Sequence, residues 1–126
     1  MNRIRTTRAG DRDRGQVALE YIGFLPFLLL VGLGGIQLGW TAYVTQQAET
    51  AARTAARVEA RYPGEGVAAG REAIRPSLAA GAIIPPPEVN DDSITVTVTL
   101  TINSIVPGID SRRVTRTAVM PNDDPR

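Results

Sequence analysis

Glu20 is the side chain whose placement could do chemistry. It stands just ahead of a run, Tyr21 to Val44, that contains no charged residue and a single amide, Gln37. Insertion of a carboxylate at the centre of a membrane helix costs about 2.5–3.5 kcal/mol, less near its end. A carboxylate at that edge can do one of two things. It can reach back to the headgroups as an interfacial charge, or it can neutralise a cation brought into an apolar setting, since a buried pair loses less than a lone buried charge. In the first turns of a helix it also complements the positive end of the helix dipole.

The other candidate groupings read as solvated structure. Asp91-Asp92 and Asp123-Asp124 are paired carboxylates in loops without calcium-loop spacing. Arg112, Arg113 and Arg116 could meet an anionic polymer or lipid, but suit a charged strand edge that blocks unwanted pairing. The chain has no Cys and no His, so disulfides, the usual Cys/His zinc sites and Cys/His nucleophiles are excluded. With no nucleophile–base pair and no metal constellation, the sequence predicts neither an enzyme, nor a cofactor, nor a small-molecule substrate. Net charge is +1, and all 14 basic residues are Arg, a compositional bias that gives no reason to invoke nucleic acid.

The elements that position Glu20 follow from patterning. Residues 1–15 are polar and Arg-rich (Arg3, Arg5, Arg8, Arg12, Arg14) and are expected to be an irregular, disordered basic leader. Tyr21 to Val44 would span roughly 36 Å as a helix, enough to cross a hydrocarbon core of about 30 Å with some tilt. Trp40 and Tyr43 near its far end suit an interface. Pro26 and the scattered glycines predict a bend or softened turn near residues 22–26. Gly35 and Gly39 form a GxxxG pattern, which permits close helix packing but arises easily by chance in a Gly-rich run. Arg residues precede the span and none lies between Thr45 and Thr50, which predicts a cytoplasmic N-terminus and an exterior remainder.

Val44, Ala48, Ala51, Ala55, Val58 and Tyr62 continue the helix with an apolar seam. That seam would pack on the domain's own sheet, with packing between subunits as the sharper alternative. Glu49 and Arg53 are spaced for an i,i+4 pair, and Tyr62-Pro63-Gly64 ends the helix. A weak second helix is expected over Val67–Arg75 and a stiff extended linker at Pro85-Pro86-Pro87. Ile94, Val96, Val98, Leu100 and Ile102 alternate with Thr95, Thr97, Thr99 and Thr101, the clearest strand in the chain. A second strand is expected over Arg112–Val119, joined through Pro107-Gly108. The fold expected is α+β: a leader (1–15), one long helix (16–62, transmembrane over about 21–44), and a small exterior region (63–126) with a short helix and an antiparallel sheet.

Gly15-Gln16-Val17-Ala18-Leu19-Glu20-Tyr21, behind a basic leader and ahead of an apolar helix, resembles the processing site of type IV pilins of the Tad/Flp branch. With some eighty residues beyond the membrane, the layout looks most like the TadE-like minor pseudopilins. The resemblance implies cleavage after Gly15 by a prepilin peptidase, Gln16 as the new N-terminus, and Glu20 and Tyr21 at its fifth and sixth positions. It implies that Glu20 acts in assembly by pairing with the α-amine of Gln16, its own or a neighbour's. Membrane lipid, the peptidase and other pilin or pseudopilin subunits are the partners implied. The location implied is the inner membrane, single-pass, with a possible cell-surface pilus. The alternative left open is an unprocessed signal-anchored protein whose exterior domain serves an unrelated complex. A cleaved secretory signal fits less well, because the apolar region is too long.

Overall fold

The computed structural model describes residues 9–122, with side chains from Arg12 onward. Its first element, α1, is one helix from Ala9 to Arg61. At about 1.5 Å per residue it rises roughly 80 Å. It starts at Ala9 rather than Gln16, so the last residues of the basic leader are helical and not irregular. Ala9, Arg12 and Arg14 are compatible with a helix, and no Gly or Pro pair precedes Gly15 closely enough to stop it. Pro26 lies inside α1 without interrupting it.

The upper part of α1 is the spine of the folded domain. After it come α2 (Gly66–Glu72), α3 (Pro76–Ala79), β1 (Glu88–Val89), β2 (Ser93–Ile102) and β3 (Arg112–Pro121). The architecture is α+β, with a three-stranded antiparallel sheet in the order β1-β2-β3. The second helix expected over Val67–Arg75 is α2, which ends at Glu72, and α3 beyond it was not anticipated. Arg75 is extended ahead of Pro76, as a residue before proline prefers, and Pro76 opens α3 at its first turn. The strand β1 was not anticipated. It is two residues long, pairs Glu88 with Thr95 and Val89 with Ile94, and follows a bridge between Ile83 and Thr99. Its anchoring is tertiary, beyond the reach of periodicity.

The β2 alternation is realised residue by residue. Ile94, Val96, Val98, Leu100 and Ile102 are buried, and the threonines between them are half-buried on the outer face. There the Thr97 and Thr117 hydroxyls lie 3.1 Å apart and those of Thr99 and Thr115 2.9 Å apart, cross-strand pairs of the kind that stabilise sheets. On β3, Arg116 faces the same side as Val114, Ala118 and Met120 but stays exposed, beside Glu49 and Arg53 of α1. All three β3 arginines are exposed on this edge strand.

The buried stripe of α1 comprises Val44, Ala48, Ala51, Ala52, Ala55, Ala56 and Glu59. It follows the expected seam up to Ala55. Above that the burial passes to Ala56 and Glu59, while Val58 is half-buried and Tyr62 is 61% exposed. The cause is that two layers cover the helix, the sheet and α2, so the buried band is wider than a single seam. Glu49 and Arg53 form the expected ion pair at the exposed flank.

Alanines let both layers approach closely. A Cβ on Gly70 would lie 2.8 Å from the Ala55 Cβ and 3.2 Å from the Ala51 carbonyl oxygen; one on Gly66 would lie 2.7 Å from the Ala55 carbonyl oxygen. Close helix approach therefore occurs at Gly66 and Gly70 on α2. A Cβ at Gly35 or Gly39 would meet nothing within 4 Å.

Candidate functional site

The four residues singled out by sequence lie together on the lower, bare part of α1. From Arg12 to Gly32 every side chain is exposed. Tyr21 is 71% exposed, with Ile22, Phe24, Leu25, Phe27 and Leu28 around it or just above. The 18-residue window that identifies this stretch has a mean hydropathy of 2.0, and none of it is buried by the rest of the chain. An uncovered apolar helix of this length is built to be covered by something other than its own domain. Lipid would meet that need, and the helix is long and apolar enough to cross a membrane.

Within this stalk, Val17, Glu20, Tyr21 and Phe24 share one shallow surface. Helical spacing produces it: positions three and four apart lie on one face. Glu20 is a carboxylate ringed by an aliphatic and two aromatic side chains, with no cation of the described residues bonded to it. Gly15 and Gln16 are exposed one turn below. A Cβ at Gly15 would meet nothing within 4 Å, so the fold itself sets no demand for glycine there.

At the other end of the stalk, the structure shows a residue that sequence reasoning left without a role. The Gln37 side chain reaches the segment between β2 and β3: its Oε1 accepts from the Ile105 N–H at 2.9 Å, and its Nε2 donates to the Asn103 carbonyl at 3.4 Å. The domain thus grips α1 from Gln37 upward. Trp40 and Tyr43, read as interfacial aromatics, are partly buried against the core. They stack at 5.6 Å between ring centroids, and the Arg75 guanidinium lies 5.9 Å from the Tyr43 centroid.

A second residue missed in the sequence is Glu59, 6% exposed at the far end of α1. Its Oε1 accepts from the Gly64 N–H at 2.8 Å and its Oε2 from the Gly66 N–H at 2.9 Å. Both oxygens serve the turn that reverses the chain from α1 into α2, so the group is structural. Its signal was a lone carboxylate continuing an alanine stripe, followed by Gly-Glu-Gly. Among the described residues, no group of three or more His, Cys, Asp or Glu gathers in a way that could hold a metal.

Residues 15–57 match the family model described as TadE-like protein. The match begins at Gly15, covers the stalk and ends within the part of α1 that carries the domain. No curated protein and no solved structure gives a significant match. Along the N-terminal helix that carries the α+β domain, residues 15–57 are thus similar to TadE-like proteins.

Proposed function

We propose that this protein is a minor pilin-like subunit of a Tad-type pilus or related secretion apparatus, cut after Gly15 by a prepilin peptidase and assembled through α1. The observation that carries the reading is the bare stalk with Glu20 near its base. The domain grips α1 down to Gln37, so the bilayer begins at about that level. Glu20 lies roughly 25 Å below Gln37 along the helix, less than the thickness of a hydrocarbon core, about 30 Å. From Val17 to Ile36 the rise is roughly 30 Å. On this reading the span sits lower than the expected 21–44, with Glu20 just inside the edge of the apolar layer.

A carboxylate there needs a partner. Cleavage after Gly15 supplies one: the α-amine of Gln16, one helical turn away or on a neighbouring subunit. Tyr21 and Phe24 shield the pair from competing water. The arginines ahead of the span support a cytoplasmic N-terminus and an exterior domain, and the inner membrane is the location that goes with that reading.

Gly15→Leu and Glu20→Ala separate the two steps. Gly15→Leu leaves the fold intact, because the site is open, and leaves a full-length membrane-bound precursor. Glu20→Ala inserts and is cleaved, yet fails to co-purify or crosslink with its pilin partners. N-terminal sequencing of the parent protein from membranes should begin at Gln16. A chain beginning at Met1 or Asn2 points instead to a plain signal anchor, and a Glu20→Ala protein that assembles normally removes the charge-pairing argument.

A further inference from the structure

The segment joining β2 to β3 is apolar where a connecting loop is ordinarily polar. Ile105 is 47% exposed and Ile109 49% exposed, with Pro107 exposed between them and Val106 half-buried. The segment is built and held. The Ile109 N–H donates to the Val106 carbonyl at 3.3 Å, and Gly108 takes a φ of +81°, closing a turn with proline and glycine at its two central positions. Ser104 Oγ accepts from the Val106 N–H at 3.2 Å. Gln37 ties the loop to α1 through Ile105 and Asn103.

Its position in the fold gives it a partner. β2 runs down towards the stalk and β3 runs back up, so this connection is the end of the domain nearest the membrane. Ile109, Gln37 and Leu38 line one surface, and Leu38 is 73% exposed. The exposed apolar side chains of the stalk are thus followed, from Ile36 and Leu38, by those of the loop, with the polar Gln37, Thr41 and Ser104 and the charged Asp110 and Arg112 bordering the same surface. Partial burial of α1 extends a further turn below Gln37, to Leu33 and Gly34.

We propose that this loop is a second membrane contact: Ile105, Pro107 and Ile109 enter the headgroup–acyl boundary of the leaflet from which α1 emerges. The inference rests on α1 being a membrane anchor. With the helix it makes a two-point attachment, which fixes the rotation and tilt of the domain against the bilayer where a lone helix would leave it free to swivel. The occupant is lipid because the patch is contiguous with the anchor and at its exit level. Beyond Ile109 come the exposed Asp110 and Ser111 and then Arg112 and Arg113 at the start of β3, polar and charged groups at the level where phosphates lie above acyl chains.

The chain has no cysteine, so single-cysteine variants take one fluorescent label each. The full-length protein is reconstituted in phosphatidylcholine–phosphatidylglycerol vesicles and labelled at Ile109→Cys, at Leu30→Cys in mid-stalk, and at Asp91→Cys in the distal β1–β2 turn. Ile105→Cys serves as a second loop site. Emission is then read with quencher-bearing lipids, the quencher placed near the headgroup or near the chain terminus. The loop labels should lose emission to the shallow quencher, Leu30→Cys to the deep one, and Asp91→Cys to neither. Loop labels that behave like Asp91→Cys while Leu30→Cys is quenched would overturn the contact and leave the anchor standing. A Leu30→Cys label that is not quenched overturns the anchor itself, and the contact with it.

Discussion

Replacing Glu59 should cost more stability than replacing any other charged side chain of the described domain, since it is the buried one. Its two carboxylate oxygens hold the N–H groups of Gly64 and Gly66 at 2.8 and 2.9 Å. Hydrogen bonds to charged groups contribute about 1.5–3 kcal/mol each, and an N–H left unpaired in the interior costs about 1–3 kcal/mol. The two donors differ. Gly64 is exposed and water can replace the lost acceptor, whereas Gly66 is buried under α1 and water cannot reach it without opening the turn. Glu59→Ala should thus destabilise the domain by about 2–4 kcal/mol. Glu59→Gln retains one acceptor oxygen but turns an amide towards the second donor, and should lose about half as much. The assay is denaturant unfolding of the full chain in detergent, followed by fluorescence of Trp40, the only tryptophan. Trp40 stacks on Tyr43 at the opposite end of the domain, so it reports global unfolding and not local loss of the turn. The midpoint should fall with an unchanged slope. A Glu59→Ala midpoint equivalent to less than about 0.5 kcal/mol of change, the size of an ordinary surface substitution, would refute the role given to this carboxylate.

Other substitutions probe the remaining parts of the argument. Val98→Asp places an unpaired charge at a fully buried position of β2 and should cost about 4 kcal/mol or more in the same unfolding assay; an unchanged midpoint would mean that the inward face of the strand is assigned wrongly. Gly70→Ala forces a methyl group to 2.8 Å from the Ala55 Cβ and should destabilise by about 1–3 kcal/mol, partly offset by the better helix propensity of alanine. Gly35→Ala and Gly39→Ala, with open space around them, should leave the fold's midpoint unchanged or raised. Ser111→Cys, exposed beside β3, should react with an impermeant thiol reagent in intact cells lacking an outer barrier; labelling only after lysis would reverse the proposed orientation.

Much of the architecture was legible along the chain because it depends on local pattern. A charge-free run ahead of Trp40, an alternating β-branched strand at residues 94–102, the i,i+4 pair Glu49–Arg53 and the stop at Tyr62-Pro63-Gly64 each rest on residues close in sequence. So does the constellation from Gly15 to Tyr21, whose type and order of residues carry the likeness to TadE-like proteins. The helical start at Ala9 was not legible, since an Arg-rich segment without apolar periodicity gives no signal when its helicity comes from continuity with the helix that follows.

What only the tertiary structure decided concerns residues whose partners are distant in the chain. Gln37 reads as a stray amide in an apolar run until Ile105, 68 positions later, donates to it. Glu59 reads as one more surface charge on a helix until the chain reverses and brings Gly64 and Gly66 over it. Gly35 and Gly39 carried the recognisable close-packing motif, yet Gly66 and Gly70 meet the helix, because glycine matters only where another backbone comes near, and which backbone comes near is set by the turn at Pro63-Gly64. The two-residue strand β1 exists only because β2 offers it an edge. Each of these depends on the path of the chain in three dimensions, which fixes where burial leaves a polar group needing a partner or a methyl group without room.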